Sequence, residues 1–208
     1  MANLDFETAV HLQTSIEHIA GLDEAGRGSI AGPVVAGAVI LPLLDSERLA
    51  RLEDVNDSKQ LSAITRERLY QVIIDNATTY GIGMCSAAQV DEMGIIPATK
   101  LAMITALSQL EPVAGYLLID GRIRLKSIPV PQQAIIRGDS KSLSIAAASI
   151  LAKVSRDRFM IEQAQRYPGY GFARHKGYGT RAHMAALELT GPSPIHRRTF
   201  APLRKTLL

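Results

Sequence analysis

Four carboxylates follow short apolar segments of this sequence, a position from which an acid can reach an active site. Asp23 and Glu24 follow the segment 18–22, Asp120 follows 116–119, and Asp139 follows 132–136. A carboxylate at the end of a buried strand is costly unless it is paired or bound to a metal. Converging carboxylates raise each other's pKa until a divalent cation neutralises them. Oxygen ligands favour Mg²⁺ or Mn²⁺ over zinc, and two such ions about 4 Å apart can clamp a phosphodiester.

Each acid also has a simpler interpretation. Asp23 and Glu24 fit a turn, because Gly26 and Gly28 follow them, and Asp120 stands before Gly121, which is a turn signal. Asp139 could cap the helix that follows it. Neighbouring strand residues point to opposite faces, so Asp23 and Glu24 can share a site only if the strand ends there and the glycines turn the chain. Spacing alone does not show that acids so distant in the chain converge.

The elements that would position these acids follow from periodicity and from breaking residues. Five apolar runs predict strands, at 18–22, 34–41, 80–86, 116–119 and 132–136. Four amphipathic stretches predict helices, at 63–75, 97–110, 141–166 and 180–189, with Ser62 as a cap of the first and Pro97 in the first turn of the second. Ala146, Ala147 and Ala148 would let the third helix pack close to a sheet. The order β-β-α-β-α-β-β-α-α predicts an α/β fold with a mixed sheet flanked by helices.

Composition limits the class of protein. The chain of 208 residues is 47% hydrophobic and 21% charged, which is typical of a globular domain. Cys85 is the only cysteine, so neither an intrachain disulfide nor a thiolate zinc site can form. There is no signal peptide pattern and no run of 18 apolar residues, so we expect a cytoplasmic protein without membrane association. We expect one catalytic domain over 1–208, with a core at about 18–165 and a C-terminal helical extension at about 166–208.

Charge is weak evidence for the partner. The net charge is only +3, but Lys and Arg are frequent from Arg122 to the end of the chain. This half of the sequence is either a solvated surface or a phosphate-binding face. Arg156 and Arg197 belong to this basic set.

Several long words of the sequence resemble bacterial ribonuclease HII, a type 2 ribonuclease H. They are DEAGRG (23–28), DSKQLS (57–62), LLIDG (117–121), GDSKSLSIAAASILAKVSRD (138–157), YPGYGFARHKGYGT (167–180) and PSPIHRRTF (192–200). The resemblance covers most of the chain from Gly21 to about Phe200, while the first 17 residues match nothing useful. It implies a ribonuclease H-like fold and cleavage of the RNA strand in RNA/DNA hybrids.

The resemblance also implies roles for particular residues. Asp23, Glu24, Asp120 and Asp139 would be the catalytic, metal-binding acids. The residues that would bind substrate are Gly26, Arg27, Gly28, Lys59, Lys176 and Tyr178. Glycines let the backbone approach a ribonucleotide, whose 2′-OH distinguishes RNA from DNA.

For two further groups the structural interpretation is the simpler one. Asp157 belongs to a family word, but an ion pair with Lys153, Arg156 or Arg158 explains it equally. His196 fits a structural or a phosphate-facing role, and the histidines His175, His183 and His196 show no metal-ligand spacing.

The implied reaction is in-line hydrolysis with Mn²⁺ or Mg²⁺, two ions being held when substrate is bound. It would leave 3′-hydroxyl and 5′-phosphate ends, and a single ribonucleotide embedded in duplex DNA would be cut on its 5′ side. We expect a monomer that takes part in ribonucleotide excision repair.

Three other functions stay open from the residues alone. A resolvase or transposase-like nuclease would cut a hybrid and an all-DNA duplex comparably. A non-catalytic nucleic-acid-binding protein would bind without a divalent ion and release no product. A phosphatase with an Asp nucleophile would hydrolyse small phosphate esters, although the chain lacks a DxD word.

Overall fold

The computed structural model of the chain describes residues 2–206 and contains a five-stranded mixed sheet. Its strands are β1 (Ile19–Ala25), β2 (Val34–Ile40), β3 (Thr79–Cys85), β4 (Tyr116–Asp120) and β5 (Gln132–Ile135). Their order is β3-β2-β1-β4-β5; β2 is antiparallel to β1 and β3, whereas β1, β4 and β5 are parallel. The five predicted strands and the mixed sheet are confirmed. β1 is longer than predicted, because it continues through the acidic pair to Ala25.

Nine helices are found in the described part of the chain. They are α1 (Asp5–Thr14), α2 (Ser46–Ala50), α3 (Ala63–Asn76), α4 (Ala87–Met93), α5 (Ile95–Leu107), α6 (Leu143–Arg166), α7 (Phe172–His175), α8 (Arg181–Thr190) and α9 (Leu203–Thr206). The sequence predicts α3, α5, α6 and α8, and Ser62 caps α3 by accepting a hydrogen bond from Thr65 N at 3.1 Å. The other five helices were not predicted. Four of them have four to seven residues, too few for a helical period to be recognised.

Helix α6 covers one face of the central strands. Ala146, Ala147 and Ala148 are completely buried, and a Cβ on Gly21 of β1 would lie only 2.2 Å from the backbone of Ser144. The close approach predicted from the three alanines is therefore confirmed. Helix α5 covers the opposite face with Ala98, Ala102, Met103 and Ala106, so the sheet lies between two helical layers.

Helix α1 fixes the beginning of α6. Glu7 is 2% exposed, and its Oε1 accepts hydrogen bonds from the hydroxyl of Ser142 at 2.6 Å and from the backbone N–H of Ser144 at 2.9 Å. Ser142 is also the N-cap of α6, accepting from Ile145 N at 3.3 Å. The first residues of the chain, for which the sequence offers no interpretation, therefore hold the helix that begins just after Asp139.

The C-terminal part of the chain returns to the loop between β1 and β2. Ala31 forms an antiparallel bridge with His196, and Arg197 N donates to Ile30 O at 2.9 Å. Tyr170, Phe172, His175, His183 and His196 pack their rings against one another beneath this contact. Within residues 2–206, no helix is both long enough and apolar enough to cross a membrane.

Candidate active site

The sheet register brings Asp23 and Asp120 side by side. The last pair between β1 and β4 is Leu22 with Ile119, and the two aspartates are the next residue of each strand. Asp23 is 3% exposed and accepts hydrogen bonds from Glu24 N at 2.7 Å and from the hydroxyl of Ser149 on α6. Parallel strands thus deliver two acids from distant parts of the chain to one edge of the sheet.

Glu24 reaches the same place although its strand does not end. The expectation that Asp23 and Glu24 share a site only if β1 stops at them is wrong, because β1 remains paired with β2 as far as Ala25. On its other side, the pairing of β1 with β4 ends at Leu22. Acids on both faces of β1 can therefore border the open space beyond the end of β4.

Asp139 lies in a 3-10 turn, Gly138–Ser140, between β5 and α6. It does not cap α6, because Ser142 does. The turn is tied to β4, since Gly138 N donates to Asp120 Oδ1 at 2.6 Å. Asp139 is 4% exposed, and its Oδ2 accepts a hydrogen bond from Lys59 Nζ at 2.6 Å. Asp139 is thus brought next to Asp120, which spacing in the sequence did not show.

Electrostatic repulsion among the acids adds to burial in raising their pKa values. Burial raises the pKa of Asp23 well above its ordinary value, and repulsion by Glu24 and Asp120 raises it further. Burial also raises the pKa of Glu24, although Arg27, 3.0 Å from its Oε1, opposes the shift. The pKa of Asp120 is raised by burial and, to a smaller extent, by Asp139. Such mutual repulsion is expected where carboxylates converge around the position of a cation.

Three of the four acids border one cavity of about 260 Å³, which we call the acidic cavity. Its lining comprises Asp23, Glu24, Ala25, Gly26, Arg27, Gly28, Ser58, Lys59, Asp120, Ser149, Lys153 and Tyr178. Asp139 is not part of this lining but reaches it through Lys59. The donor set consists of oxygens, and Glu24 Oε2 is buried without a hydrogen-bond partner. An orphaned carboxylate oxygen beside Asp23 fits a hard divalent cation such as Mg²⁺ or Mn²⁺.

In the described part of the chain, the carboxylates are not close enough together to coordinate a metal ion without rearrangement. Among residues 2–206, no three His, Cys, Asp or Glu side chains form a group that could hold an ion as they stand. Arg27 binds Glu24 and Lys59 binds Asp139. Each of these cations occupies one carboxylate oxygen, and Glu24 Oε2 stays without a hydrogen-bond partner beside the oxygen that Arg27 holds.

The two glycines of DEAGRG, Gly26 and Gly28, differ in what a side chain at each position would meet. Gly26 has a φ of +89°, and a Cβ there would lie 2.0 Å from Arg156 Nε, so the protein's own packing requires glycine. A Cβ on Gly28 would meet no atom within 4 Å, and no packing within the described chain requires its absence. Gly28 lines the acidic cavity, so the space beside it is open to a ligand.

Two arginines of the basic C-terminal half are buried rather than exposed to phosphate. Arg156 and Arg197 have no exposed surface, so the interpretation of these two as part of a phosphate-binding face is wrong. Arg156 donates to Pro33 O at 2.9 Å, to Ala31 O at 3.0 Å and to Lys176 O at 2.9 Å. Arg197 donates to the backbone oxygens of 27, 29 and 32. Both guanidiniums thus hold the loop after β1 against the C-terminal part of the chain.

Tyr178 is brought to the acidic cavity, while Lys176 is not. The Tyr178 ring is 37% exposed, and Arg156 Cζ lies 5.3 Å from its centroid. Lys176 Nζ instead donates to Ala173 O, and burial lowers its pKa.

Asp157 forms an ion pair with Lys153 at 2.7 Å, which agrees with the simpler interpretation of that acid.

Sequence reasoning missed three polar residues of this site. Ser149 donates to Asp23 and lies 2.8 Å from the hydroxyl of Ser58, and Lys153 also lines the acidic cavity. Ser58 and Ser149 stand in words quoted from the sequence, DSKQLS and AAASILAK. The signal available was the polar side chain on an otherwise apolar helix face, at Ser149 within α6.

His175, His183 and His196 form a buried cluster behind Tyr178. His183 Nε2 lies 3.0 Å from His196 Nε2, and His183 Nδ1 lies 2.9 Å from Tyr178 O. Each ring also contacts a backbone or hydroxyl group, so the cluster is structural and supports the loop that carries Tyr178. His196 is 2% exposed, which favours the structural interpretation of this residue.

A mixed sheet between helical layers, with acids at the ends of β1 and β4, defines a hydrolase with a ribonuclease H-like fold. The family model described as Ribonuclease HII matches residues 20–203, and the chain belongs to that family. It therefore acts as a metal-dependent endoribonuclease on the RNA strand of RNA/DNA hybrids. Family membership does not support the alternatives of a phosphatase or a non-catalytic binder.

Similar proteins agree with this assignment. The chain is 54% identical to ribonuclease HII of Chloroflexus aggregans, with 91% of this chain and 89% of the relative covered. Ribonuclease H2 of Pyrococcus horikoshii superimposes with a TM-score of 0.76 at 29% identity, covering 90% of this chain and 95% of that one. Bst-RNase HIII in complex with Mn²⁺ has a TM-score of 0.68 at 18% identity over 96% and 72% of the two chains, a likeness of fold alone.

Proposed function

We propose that Asp23, Glu24, Asp120 and Asp139 are the acids that hold the divalent ions of this endoribonuclease. The observation that carries the proposal is the convergence of Asp23 and Asp120 at the edge of the sheet, with raised pKa values and the partnerless Glu24 Oε2 beside them. The ions are Mn²⁺ or Mg²⁺, two with substrate bound. When bound, they would polarise the phosphate and activate water in an in-line displacement.

The remaining site residues orient the substrate. Gly28 leaves room for the backbone to approach a ribose 2′-OH, which donates and accepts hydrogen bonds. Tyr178 offers a half-exposed ring at the rim of the acidic cavity, suited to contact with the neighbouring sugar. Lys59, Arg27 and Lys176 supply positive charge for phosphates, and Lys176 would have to leave its contact with Ala173 to do so.

From these roles we infer the reaction in detail. The enzyme cuts long hybrids and also cuts on the 5′ side of a single ribonucleotide in duplex DNA, leaving 3′-hydroxyl and 5′-phosphate ends. This activity suits ribonucleotide excision repair in the cytoplasm. We also propose that the chain acts as a monomer and as one catalytic domain, with a core at about 18–165 and an extension at about 166–208.

The test is to incubate the protein with three duplexes of one sequence: a hybrid, a DNA duplex with one ribonucleotide, and an all-DNA duplex. We expect cleavage of the first two with Mn²⁺ or Mg²⁺, none with EDTA, and none of the third. End analysis should give a 3′-hydroxyl on the 5′ side of the ribonucleotide. Comparable cutting of the all-DNA duplex would instead favour the resolvase-like alternative.

Asp120→Asn is the matched variant for this test, because asparagine keeps the shape of the side chain and removes its charge. We expect cleavage to fall by at least about a thousandfold while binding of the duplex is largely retained. A fully active Asp120→Asn enzyme would contradict the assignment of this acid.

A further inference from the structure

A second pocket adjoins the acidic cavity and has the opposite charge. It has a volume of about 450 Å³ and shares the side chain of Arg27 with the acidic cavity. We call it the basic pocket. Four cationic residues line it: Arg27, Lys100, Arg122 and Arg124. No acidic residue is among its described lining residues. Adjacent cavities of opposite charge suit a substrate whose phosphates continue past the metal-binding acids.

Three of these cations have no protein partner. Across residues 2–206, the side chains of Lys100, Arg122 and Arg124 make neither an ion pair nor a hydrogen bond. Some exposed arginines are paired with acids, such as Arg68, which lies 2.8 Å from Asp54, whereas these three cations share one concave surface without an acid. Unpaired cations that converge on one concave surface repel each other unless an anion binds there.

The rest of the pocket is apolar and belongs to the same strand end as the active site. Arg122 and Arg124 are the second and fourth residues after Asp120. Gly121 precedes Arg122, and the buried Ile123 separates the two arginines. Ile96 and Ile136 line the pocket and are 43% and 54% exposed. A surface with exposed apolar side chains and unpaired cationic side chains fits a sugar-phosphate strand, whose sugar edges are apolar and whose phosphates are anionic.

We propose that the basic pocket binds the sugar-phosphate backbone of the substrate duplex beyond the nucleotides that lie at the carboxylates. This contact holds the flank of the duplex, and because Arg122 lies only two residues after Asp120, the last residue of β4, it keeps the scissile phosphate in register with the acids. The proposal rests on the proposed function, and it adds to it a second binding region that sets how much flanking duplex the enzyme needs.

The test compares the double variant Arg122→Gln/Arg124→Gln with a matched control, Arg51→Gln/Arg68→Gln. The control removes the same charge from exposed arginines outside both cavities, which pair with Glu47 and Asp54. Binding of a non-cleaved duplex is measured in EDTA by fluorescence anisotropy at several salt concentrations. We expect the pocket variant to bind about tenfold more weakly, and its plot of log affinity against log salt to be shallower by about 2 than that of the wild type.

Cleavage gives a second readout that separates binding from folding. The pocket variant should show a larger change in KM than in kcat on a duplex with long flanks. On a short duplex that ends close to the cleaved position, wild type and variant should be equal. Equal affinity, salt dependence and KM on the long duplex for the pocket variant and the control would overturn the proposal.

The two proposals fail in different ways. If the wild type does not cut a hybrid but the pocket variant still binds duplex more weakly with a shallower salt dependence, the proposed function is wrong and the pocket stands. If the wild type cuts and the variant matches it, the pocket is wrong and the proposed function stands.

Discussion

Lys59 Nζ lies 2.6 Å from Asp139 Oδ2, a contact that joins positions 80 residues apart. Burial tends to lower the pKa of Lys59, but the hydrogen bond and charge of Asp139 outweigh it, and the pKa is raised. The ammonium group therefore stays charged at neutral pH and occupies one carboxylate oxygen of Asp139. If Asp139 holds an ion as proposed, Lys59 and that ion would compete for it in the absence of substrate.

Replacing Lys59 with Met should remove this competition. We expect Lys59→Met to bind Mn²⁺ several-fold more tightly than the wild type when no nucleic acid is present, because Asp139 loses its ammonium partner. Isothermal titration of Mn²⁺ into each protein measures the difference. Lys126→Met is the control, since Lys126 is exposed and lines neither cavity. Weaker Mn²⁺ binding by Lys59→Met would show that Lys59 supports the metal site rather than competing with it.

Replacing Arg156 should lower the stability of the protein strongly, because its guanidinium is completely buried. Arg156→Met leaves the carbonyls of 31, 33 and 176 without their donor. Each buried acceptor without a partner costs about 1–3 kcal/mol, so we expect the free energy of unfolding to fall by about 3 kcal/mol or more. Urea unfolding followed by circular dichroism measures this change.

Arg158→Met is the matched control for that experiment. Arg158 is half-exposed, pairs with Glu67 at 2.6 Å, and lies two residues along the same helix. We expect it to lose less than about 1 kcal/mol, as exposed ion pairs do. Equal losses for the two variants would mean that the buried guanidinium does not hold the loop after β1.

The histidine cluster should make the protein sensitive to acid. The pKa of His196 is lowered from 6.5 to about 4 by burial and then by His183. Between these values the unfolded chain binds a proton that the folded chain does not. Stability from neutral His196 is therefore complete above pH 6.5 and is lost as the pH falls towards 4, by roughly 3 kcal/mol at most.

Comparison with His196→Gln isolates this effect. Asp23, Glu24 and Asp120 have raised pKa values and act in the opposite direction, but they are present in both proteins. We expect the free energy of unfolding to fall less steeply on acidification in His196→Gln than in the wild type, over the range of pH 6.5 to 4. Parallel pH profiles would exclude His196 as the group that titrates.

The fold was largely predictable because its strands and long helices carry clear periodic signals. The run 116–119 and the alanines of α6 predict a buried strand and a close helix–sheet contact, and both are found. The extent of β1 was not predictable from the segment alone. It depends on β2, which remains paired with β1 beyond the point where β4 stops.

The site was predictable in its residue types but not in its geometry. Resemblance supplied Asp23, Glu24, Asp120 and Asp139, while only the register of β1 with β4 brings the distant pair Asp23 and Asp120 together. Charge type alone misled at Arg156, because a sequence does not show whether a guanidinium meets phosphate or backbone carbonyls. That distinction depends on burial, which arises from contacts between distant parts of the chain.

The acids should destabilise the metal-free protein, as buried groups that repel each other do. A carboxyl with a raised pKa favours folding at low pH, and this contribution is lost as the pH rises through the raised value. Charged Asp23 is therefore a cost at neutral pH, which Asp23→Asn removes and which a bound cation would offset.

The most direct test of the carboxylate site is the Tm of the wild type and of Asp23→Asn, measured at neutral pH with EDTA and with increasing Mn²⁺. We expect Asp23→Asn to unfold at a higher temperature than the wild type in EDTA, and only the wild type to gain further stability as Mn²⁺ is added. Equal stabilisation of both proteins by Mn²⁺ would contradict the assignment of these acids as the metal-binding centre.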